Sequence, residues 1–421
     1  MIKRNFYLNK IKPYINKDLI KIISGIRRCG KSTILQQLIE ELKQNGVKED
    51  NIIYINLELQ KYFDVRTKEQ LMDVIEKQIK NRVNYEYPAL NQIADEDKIY
   101  IFIDEIQNVD SWELLINSYL AEKQFDIYIT GSNSKLLSGE LATHLTGRFV
   151  EIKVYPFSYL EFLEYHKLNN ENMNEDINEN KLIKEYIQFG GMPYSLGFEE
   201  DQKIEYLSDL YYSIVLKDII KRNEIRDVDL VDRIFFYILA NIGHTFSANS
   251  IFKYFKKDQI SVSINTIYNY LSYMEDACLV NKVRRENIVS KKLLNHGEKF
   301  YLNDLGFREA IYGYNNRNKG QVIENIVYIE LLRRGYKITI GKFKDKEVDF
   351  VCKKRGKKAY IQVSYVLADE NTIKREFEPL IKIKDNYPKY IISTDEFDFS
   401  KNGVIHINLA DFLKGKTIKL L

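Results

Sequence analysis

Cysteine is scarce in this 421-residue chain, and its three cysteines stand too far apart to act together. They occupy positions 29, 278 and 352, and no Cys-x-x-Cys pair occurs. A disulfide framework needs paired cysteines, and a structural zinc site needs them close in sequence. The cysteine content therefore argues against both, and it fits a reducing compartment, so we expect a cytoplasmic protein.

Long hydrophobic runs are also missing. No apolar stretch approaches the ~18 residues that a transmembrane helix requires, and the first residues, Met-Ile-Lys-Arg-Asn, lack the apolar core of a signal peptide. Hydrophobic residues nonetheless make up 45% of the chain, which is ordinary for folded protein. We therefore expect no membrane partner and about two to four folded domains.

Neither sign of charge is in excess. The 63 lysines and arginines stand against 60 aspartates and glutamates, which leaves a net charge of +3. A strongly basic protein attracts nucleic acid through its overall electrostatic field, and this chain lacks such a field. Any surface that binds nucleic acid must therefore be a local patch.

The chain does contain one strong motif, Gly-Ile-Arg-Arg-Cys-Gly-Lys-Ser at residues 25–32. It has the GxxxxGKS spacing of a phosphate-binding loop. An apolar run at 19–24 predicts a buried strand before it, and a helical pattern at 32–45 follows. In that context backbone N–H groups and the helix dipole favour bound phosphates, Lys31 reaches the β- and γ-phosphates, and Ser32 ligates Mg²⁺. The predicted ATP-binding residues are Gly25, Ile26, Arg27, Arg28, Cys29, Gly30, Lys31, Ser32 and Thr33.

A second apolar run, residues 99–103, leads directly into Asp104 and Glu105. This pattern is typical of a buried parallel strand whose carboxyl end carries a site. We predict that Asp104 holds Mg²⁺ together with Ser32, and that Glu105 polarises the attacking water. The alternative is that the two acids only cap the helix predicted at 111–122.

A further strand, predicted at 125–130, ends in Thr-Gly-Ser-Asn. Next to the acids, Ser132 and Asn133 could sense the γ-phosphate, but Gly, Ser and Asn also favour plain turns, so both interpretations stay open. Strands are also predicted at 52–57 and 149–155. Because helical patterns separate the strands, the order predicts a parallel sheet with helices on both faces.

The order of these motifs resembles an AAA+ ATPase domain. Over nearly the whole chain it is similar to a family of bacterial and archaeal AAA+ ATPases that carry a C-terminal nuclease-like domain, DUF4143. The matching segments are Arg27-Arg28-Cys29-Gly30-Lys31-Ser32, Asp104-Glu105-Ile106-Gln107, Thr130-Gly131-Ser132, Leu145-Thr146-Gly147-Arg148, Pro156-Phe157-Ser158-Tyr159-Leu160-Glu161-Phe162 and Gly190-Gly191-Met192-Pro193.

The resemblance implies two further roles at the site. Ser132 or Asn133 is the sensor, and Arg148 is an arginine finger that reaches the γ-phosphate of a neighbouring subunit, where it stabilises developing charge. Such a finger would require a homo-oligomer. For Arg148 two alternatives stay open, a surface ion pair and a sensor within its own subunit.

The middle of the chain is predicted to be helical. Residues 161–228 would form a lid and linker, and residues 229–290 have a winged-helix pattern, whose third helix can enter the major groove of DNA. The predicted helices lie at 231–242, 247–255 and 263–274, the last two with serine caps, and strands at 279–283 and 288–289 flank the wing. Candidate contacts are Asn265, Thr266, Tyr268, Asn269 and Tyr270 on the third helix, and Lys282, Arg284, Arg285, Lys291 and Lys292 on the wing. Because winged helices also bind proteins, the partner stays open between duplex DNA and protein.

The last part, residues 291–421, resembles the PD-(D/E)XK nuclease fold. A helix is predicted at 320–334, strands at 336–340, 347–351 and 359–365, a helix at 372–384 and a strand at 390–393. Glu324 and Asp349 match the first two acids of that family, but Gln362 and Ser364 replace its Glu and Lys. An amide is a weaker ligand for hard divalent cations, so we expect a degenerate domain that binds rather than cleaves.

These patterns predict an α/β protein with a P-loop parallel sheet, followed by a helical lid, a winged helix and a small nuclease-like α/β domain. The AAA+ core would span residues 1–160 and would bind and hydrolyse ATP with Mg²⁺, coupled to DNA or protein binding by the C-terminal half. The alternatives are an ATP-binding switch without appreciable turnover and, less favoured, a DNA-cleaving nuclease.

Overall fold

In the computed structural model, residues 1–80, 98–133, 147–170, 178–294, 297–313 and 318–420 are described. The chain divides into two compact units, Met1–Tyr155 and Pro156–Leu421. Among the described residues, no helix has both the length and the apolar character that crossing a bilayer requires.

The first unit is built on a five-stranded sheet in which every strand runs parallel to its neighbours. The strands are β1 (Ile20–Ser24), β2 (Ile52–Asn56), β3 (Ile99–Asp104), β4 (Phe125–Gly131) and β5 (Phe149–Lys153). Their spatial order is β2-β3-β4-β1-β5. Each strand lies within one or two residues of its predicted position, because the apolar runs that predicted the strands are the segments that the sheet buries.

Helices pack on both faces of this sheet. They are α1 (Asn5–Ile11), α2 (Lys31–Gln44), α3 (Lys68–Lys80) and α4 (Trp112–Ala121). Alternate strand residues such as Ile22, Ile101 and Ile127 form one apolar core with α3 and α4. The helices α1 and α2 lie outside that core and contact β5 and β4 respectively. The predicted fold class of the first unit is therefore confirmed.

The second unit begins with a series of helices. They are α5 (Tyr159–Asn170), α6 (Glu179–Phe189), α7 (Glu200–Ile214), α8 (Val228–Ala240), α9 (Ala248–Lys257) and α10 (Ile264–Asp276). Both predicted serine caps are confirmed. The Ser247 hydroxyl accepts a hydrogen bond from the Ser250 amide, and the Ser263 hydroxyl accepts one from the Thr266 amide, which satisfies backbone donors that the first turn leaves free.

A mixed six-stranded sheet follows, with the order β13-β12-β11-β10-β9-β7. Its strands are β7 (Arg285–Asn287), β9 (Lys337–Phe343), β10 (Lys346–Lys354), β11 (Lys357–Val363), β12 (Lys389–Ser393) and β13 (Val404–Asn408). The accompanying helices are α11 (Gly306–Tyr312), α12 (Lys319–Arg333), α13 (Glu370–Lys382) and α14 (Leu409–Leu413). The helix–strand–strand–strand–helix–strand order predicted from residue 320 onward is confirmed.

A separate two-stranded antiparallel sheet follows helices α8 to α10. It pairs β6 (Val280–Val283) with β8 (Lys299–Leu302). The predicted second strand at 288–289 is wrong, because the chain after β6 enters the larger sheet, where β7 pairs with β9. Ile288 is buried in the core of that larger sheet. Ile288 therefore packs in the six-stranded sheet, and not in the small antiparallel sheet where we predicted it.

Candidate functional site

The candidate site lies at the carboxyl edge of the first sheet, where β1, β3 and β4 end. Residues 25–30 connect β1 to α2, which begins at Lys31. Gly25 has a φ of 153°, and a Cβ atom there would lie 2.3 Å from the carbonyl oxygen of Val154, while Gly30 has a φ of 102°. Both positions therefore require glycine. The loop ends at a helix N-terminus, where free N–H groups favour an anion.

The Lys31 ammonium group is almost fully buried at the centre of this edge. It donates hydrogen bonds to the carbonyl oxygens of Gly25, at 3.1 Å, and Ile26, at 3.3 Å. Its Nζ atom also lies 3.5 Å from Oε1 of Glu105. The predicted lysine and the predicted catalytic acid are thus brought into direct contact, although Lys31 begins α2 and Glu105 follows β3.

Glu105 is held in a defined orientation and ionised state. Burial favours the neutral acid, but the charge of Lys31 and a hydrogen bond from the Gln107 amide outweigh it and lower the pKa of Glu105 below its usual range. The residue also has a φ of 59° and a ψ of 49°. A left-handed conformation in a residue other than glycine is strained and is enriched at functional sites. The Glu105 carboxylate can therefore accept a proton or a hydrogen bond at neutral pH.

Asp104 is anchored by hydroxyl groups from three different segments. Thr130 on β4 donates to Oδ1, Tyr54 on β2 donates to Oδ2 at 3.2 Å, and the Ser32 hydroxyl forms a third hydrogen bond. Burial raises the pKa of Asp104, and the hydrogen bonds from Ser32 and Thr130 oppose that effect. The same Thr130 hydroxyl accepts a hydrogen bond from the Glu105 amide at 2.9 Å. Thr130 therefore positions both acids, a role that our sequence analysis missed.

The predicted sensor residues lie beside the acids because β4 is inserted between β1 and β3. Ser132 and Asn133 follow β4 directly, and both side chains are buried. The Gln107 amide, which orients Glu105, also lies 3.4 Å from Oγ of Ser132. The loop lysine, the two acids and the predicted sensor thus occupy one edge of the sheet.

The residues at this edge fit a magnesium–nucleotide complex. Ser32 and Asp104 are in hydrogen-bond contact, and hydroxyl and carboxylate oxygens are the ligand types that Mg²⁺ prefers. No group of three or more His, Cys, Asp or Glu side chains within the described ranges could hold a metal ion. Mg²⁺ usually binds through one or two protein oxygens together with water and phosphate oxygens, so two protein ligands suffice.

The remaining loop residues differ in exposure. Arg27 donates to the Glu58 carboxylate at 2.6 Å, and exposed Arg28 has a φ of 66°. The Cys29 thiol is completely buried, and that burial raises its pKa. Thr33 is half-buried in the first turn of α2. Cys29 is therefore a packing residue of the loop, whereas Arg27 and Arg28 lie at its rim.

Arg148 does not join this group. It directly precedes β5, and its carbonyl oxygen accepts a hydrogen bond from the amide of Ile20, the first residue of β1. The phosphate loop leaves the other end of β1, so the length of the strand, roughly 15 Å, separates the two. An arginine side chain cannot span that distance, which disfavours the alternative of a sensor within its own subunit. The preceding motif residues Leu145 and Thr146 lie outside the described residues.

Arg4 supports the phosphate loop through hydrogen bonds to backbone carbonyl groups, a role that our sequence analysis also missed. Its side chain is 1% exposed and donates to the carbonyl oxygens of Cys29 and Tyr155, both at 2.9 Å. The guanidinium group lies over the ring of Tyr7, 4.8 Å from its centre. No local sequence pattern indicates this role, because the partners lie 25 and 151 residues away.

Substitution of Arg4 by methionine is expected to lower the free energy of unfolding by about 2–3 kcal/mol, because two buried carbonyl groups lose charged donors. Denaturant titration of the purified protein measures the change. Lys3→Met is the matched control, since Lys3 is exposed and forms only a surface ion pair with Glu41. Equal stability of Arg4→Met and wild type would contradict the supporting role.

In the second unit, Glu324 and Asp349 lie together around a buried lysine. Lys299 on β8 places its Nζ atom 2.7 Å from Glu324 and 3.9 Å from Asp349. The Gln362 amide donates to the carboxylate of Glu376 at 2.9 Å. The two acids singled out in the sequence are thus joined by a lysine from a strand earlier in the chain, a contact that the sequence pattern could not reveal.

The predicted contact residues on α10 divide between surface and core. Asn265, Tyr268 and Asn269 are exposed and Thr266 is half-buried, whereas Tyr270 is buried. The inclusion of Tyr270 as a surface contact is therefore wrong. It follows Ile267 by three residues, so it lies on the same face of the helix, which packs inward.

Two family models match this chain. Residues 17–163 match an AAA domain, and residues 180–318 match a domain of unknown function, DUF8612. The resemblance had implied DUF4143 for the C-terminal part. The family model that matches is DUF8612 instead. It covers the helices from α6 to α11 and the small two-stranded sheet, and it ends before α12.

Full-length relatives occur in a bacterium and an archaeon. A Haemophilus influenzae protein is 36% identical over 414 residues, which covers 98% of each chain. A Methanocaldococcus jannaschii protein is 32% identical over 424 residues, covering 95% of this chain and 90% of the relative. Both relatives are described as uncharacterized proteins.

Solved structures with a similar arrangement include two nucleotide-bound proteins. The Aeropyrum pernix ORC2 protein, in ADPNP and ADP complexes, aligns with a TM-score of 0.41 at 11% identity over 78% of this chain and 92% of that one. DnaA from Aquifex aeolicus, bound to AMPPCP, aligns with a TM-score of 0.30 at 12% identity over 64% and 85%.

Proposed function

The chain belongs to one family with the Haemophilus influenzae protein and carries an AAA domain, and on that premise we propose that it binds and hydrolyses ATP with Mg²⁺ in the cytoplasm. One observation carries the proposal. Within a single sheet edge, the buried ammonium group of Lys31 contacts Glu105, and Asp104 contacts Ser32. A lysine for phosphate, a pair of oxygen ligands for the cation and an ionised acid are the parts that phosphoryl transfer to water requires.

We assign the binding roles to the loop and its flanks. The backbone N–H groups of residues 25–33 would surround the phosphates, and Lys31 would exchange its carbonyl partners for β- and γ-phosphate oxygens. Ser32 and Asp104 would hold Mg²⁺, which neutralises charge on the transferred phosphoryl group.

We assign the chemical step to Glu105. Because its pKa is lowered, its carboxylate is ionised at neutral pH and can orient a water molecule for attack. The Gln107 amide occupies one carboxylate oxygen, so the other oxygen, which faces Lys31, is directed toward the phosphate loop. Ser132 and Asn133 would sense the γ-phosphate from β4.

We further propose that the protein acts as a homo-oligomer. Arg148 is exposed at the sheet edge opposite its own phosphate loop, and from that position it would reach a γ-phosphate in the site of a neighbouring copy. An arginine supplied by a neighbour stabilises the charge that develops during phosphoryl transfer.

Duplex DNA is a second proposed ligand, favoured by the arrangement of helices α8 to α10. Three helices followed by an antiparallel pair of strands are the elements of a winged helix, and an isolated antiparallel bridge joins Phe246 to Glu298, next to β8. The exposed residues of α10 are neutral donors and aromatics suited to base edges and stacking. Exposed Arg284, Lys291 and Lys292 would supply phosphate contacts.

We infer that the nuclease-like sheet does not cleave DNA. Its two acids already share a buried lysine, and Gln362 binds Glu376. With an amide in place of the third carboxylate, the site is a weak one for a hard divalent cation.

Phosphate release from ATP by the purified full chain tests the proposal. We expect turnover with Mg²⁺ that falls at least about 100-fold in excess EDTA, and that rises on addition of duplex DNA at low salt while the DNA stays intact. Binding of ATP without phosphate release under any of these conditions would leave a nucleotide switch and contradict the ATPase. Shortened DNA would contradict the inference of a degenerate nuclease-like sheet.

A further inference from the structure

A cavity in the second unit is lined by a buried arginine, Arg308, whose Nε and Nη2 atoms have no hydrogen-bond partner among the described residues. The cavity has a volume of about 410 Å³ and lies between α6, α11 and α12. Its inner wall is apolar and includes Leu305, Val322 and Ile323. Cavities of this size hold small organic molecules, which bind through apolar contacts and a few placed polar groups.

Arg308 on α11 supplies the polar group. Its side chain is 5% exposed, and its Nε and Nη2 atoms are buried without a hydrogen-bond partner. Within the described part of the chain it forms no ion pair, and its guanidinium carbon lies 5.4 Å from the centre of the Tyr312 ring. Burying a guanidinium group with two unpaired donors is costly, so an anion that accepts hydrogen bonds from Nε and Nη2 would be favoured there.

The neighbouring carboxylate does not fill this role. Glu309 attracts Arg308 electrostatically, but its Oε1 atom accepts a hydrogen bond from the Gln188 amide at 3.0 Å. Burial raises the pKa of Glu309, with Gln188 and Arg308 opposing the rise. Lys184 and Lys319 stand exposed at the rim, so the cavity has three cations against one carboxylate.

We propose that this cavity binds a small organic anion, with a carboxylate or phosphate head paired to Arg308 and an apolar body packed against α12. The fork of guanidinium donors matches both kinds of head group. Leu305, Val322 and Ile323 have no polar side-chain atoms, so this wall favours a ligand with an apolar body over a strongly hydrated one such as inorganic phosphate. The ligand is therefore amphipathic.

Octanoate, octyl phosphate and 1-octanol serve as probes below their aggregation concentrations. Isothermal titration of the wild-type full chain should detect one site for octanoate or octyl phosphate, and the tighter of the two identifies the head group. The neutral alcohol should bind at least tenfold more weakly. Equal affinity for 1-octanol would overturn the proposal, because the arginine would then contribute nothing.

Arg308→Met separates a ligand site from a structural arginine. Without ligand, we expect its Tm to rise by about 2–4 °C, because an unpaired buried charge is removed. Its affinity for the anionic probes should fall at least tenfold. A lower Tm with unchanged probe affinity would show that Arg308 is structural and would overturn the proposal. Arg226→Met, at an exposed arginine outside the cavity, is the matched control and should change neither quantity.

If Arg308→Met does not fold, a substitution of Lys319 at the rim of the cavity tests the site instead. Lys319 is exposed and contacts the ring of Tyr365 at 5.2 Å, so Lys319→Met should fold normally. We expect it to weaken octanoate binding about threefold through the loss of one nearby positive charge. Unchanged affinity for both anionic probes in Lys319→Met would contradict binding in this cavity.

Discussion

Substitution of Glu105 by glutamine is expected to lower ATP turnover by about 10³-fold while ATP affinity stays within a few-fold of wild type. Glutamine keeps the volume of the side chain but cannot accept a proton from water, and a positioned general base contributes about 10²–10⁴-fold. The loss should fall on the chemical step, because Glu105 is directed at the phosphate loop without being part of it.

Single-turnover phosphate release and equilibrium binding of a fluorescent ATP analogue separate the two quantities. Glu58→Gln is the matched control. Glu58 lies at the same loop and pairs with Arg27, but its side chain is 45% exposed, so its loss should change turnover less than about threefold. Turnover by Glu105→Gln at the wild-type rate would show that another group activates the water.

Substitution of Lys31 by methionine is expected to weaken ATP binding by about 10²-fold or more. The ammonium group is the buried cation closest to the centre of the site, and a hydrogen bond to a charged group contributes about 1.5–3 kcal/mol, so the loss of two phosphate contacts accounts for the change. The Glu105 carboxylate would also lose the charge that holds its pKa down. Unlike Glu105→Gln, this variant should therefore fail before the chemical step.

The same binding titration compares Lys31→Met with Lys43→Met. Lys43 lies in the last turn of the same helix and pairs with Glu49 at the surface, so its replacement removes one lysine from α2 without approaching the loop. We expect Lys43→Met to bind ATP like wild type. Full ATP affinity in Lys31→Met would refute the assignment of the loop.

The residues of the candidate site could be singled out from the sequence because they occur in a few local segments. The glycines, Lys31 and Ser32 occur in one segment, and Asp104 and Glu105 directly follow an apolar run. Such a run predicts a buried strand independently of the rest of the sequence. The carboxyl ends of parallel strands meet at one edge of their sheet. The placement of both segments at one edge of the sheet follows from those two facts.

Contacts between distant segments could not be predicted in the same way. Thr130 bridges the two acids only because β4 lies between β1 and β3. Lys21 interrupts the apolar pattern of β1, yet it is fully buried in an ion pair with Asp126 on that neighbouring strand. Lys299 joins Glu324 through the packing of β8 against α12.

The sequence by itself therefore determined the type of most elements, the order of the five strands of the first sheet along the chain and the residues capable of nucleotide chemistry. Hydrophobic periodicity and turn residues direct the secondary structure of a few neighbouring positions, so they can be recognised without knowledge of the fold. Only the tertiary structure decided which strand lies beside which. The arrangement of the strands selects the partners of each buried polar group. A polar group removed from water must form its hydrogen bonds with the segments that pack next to it.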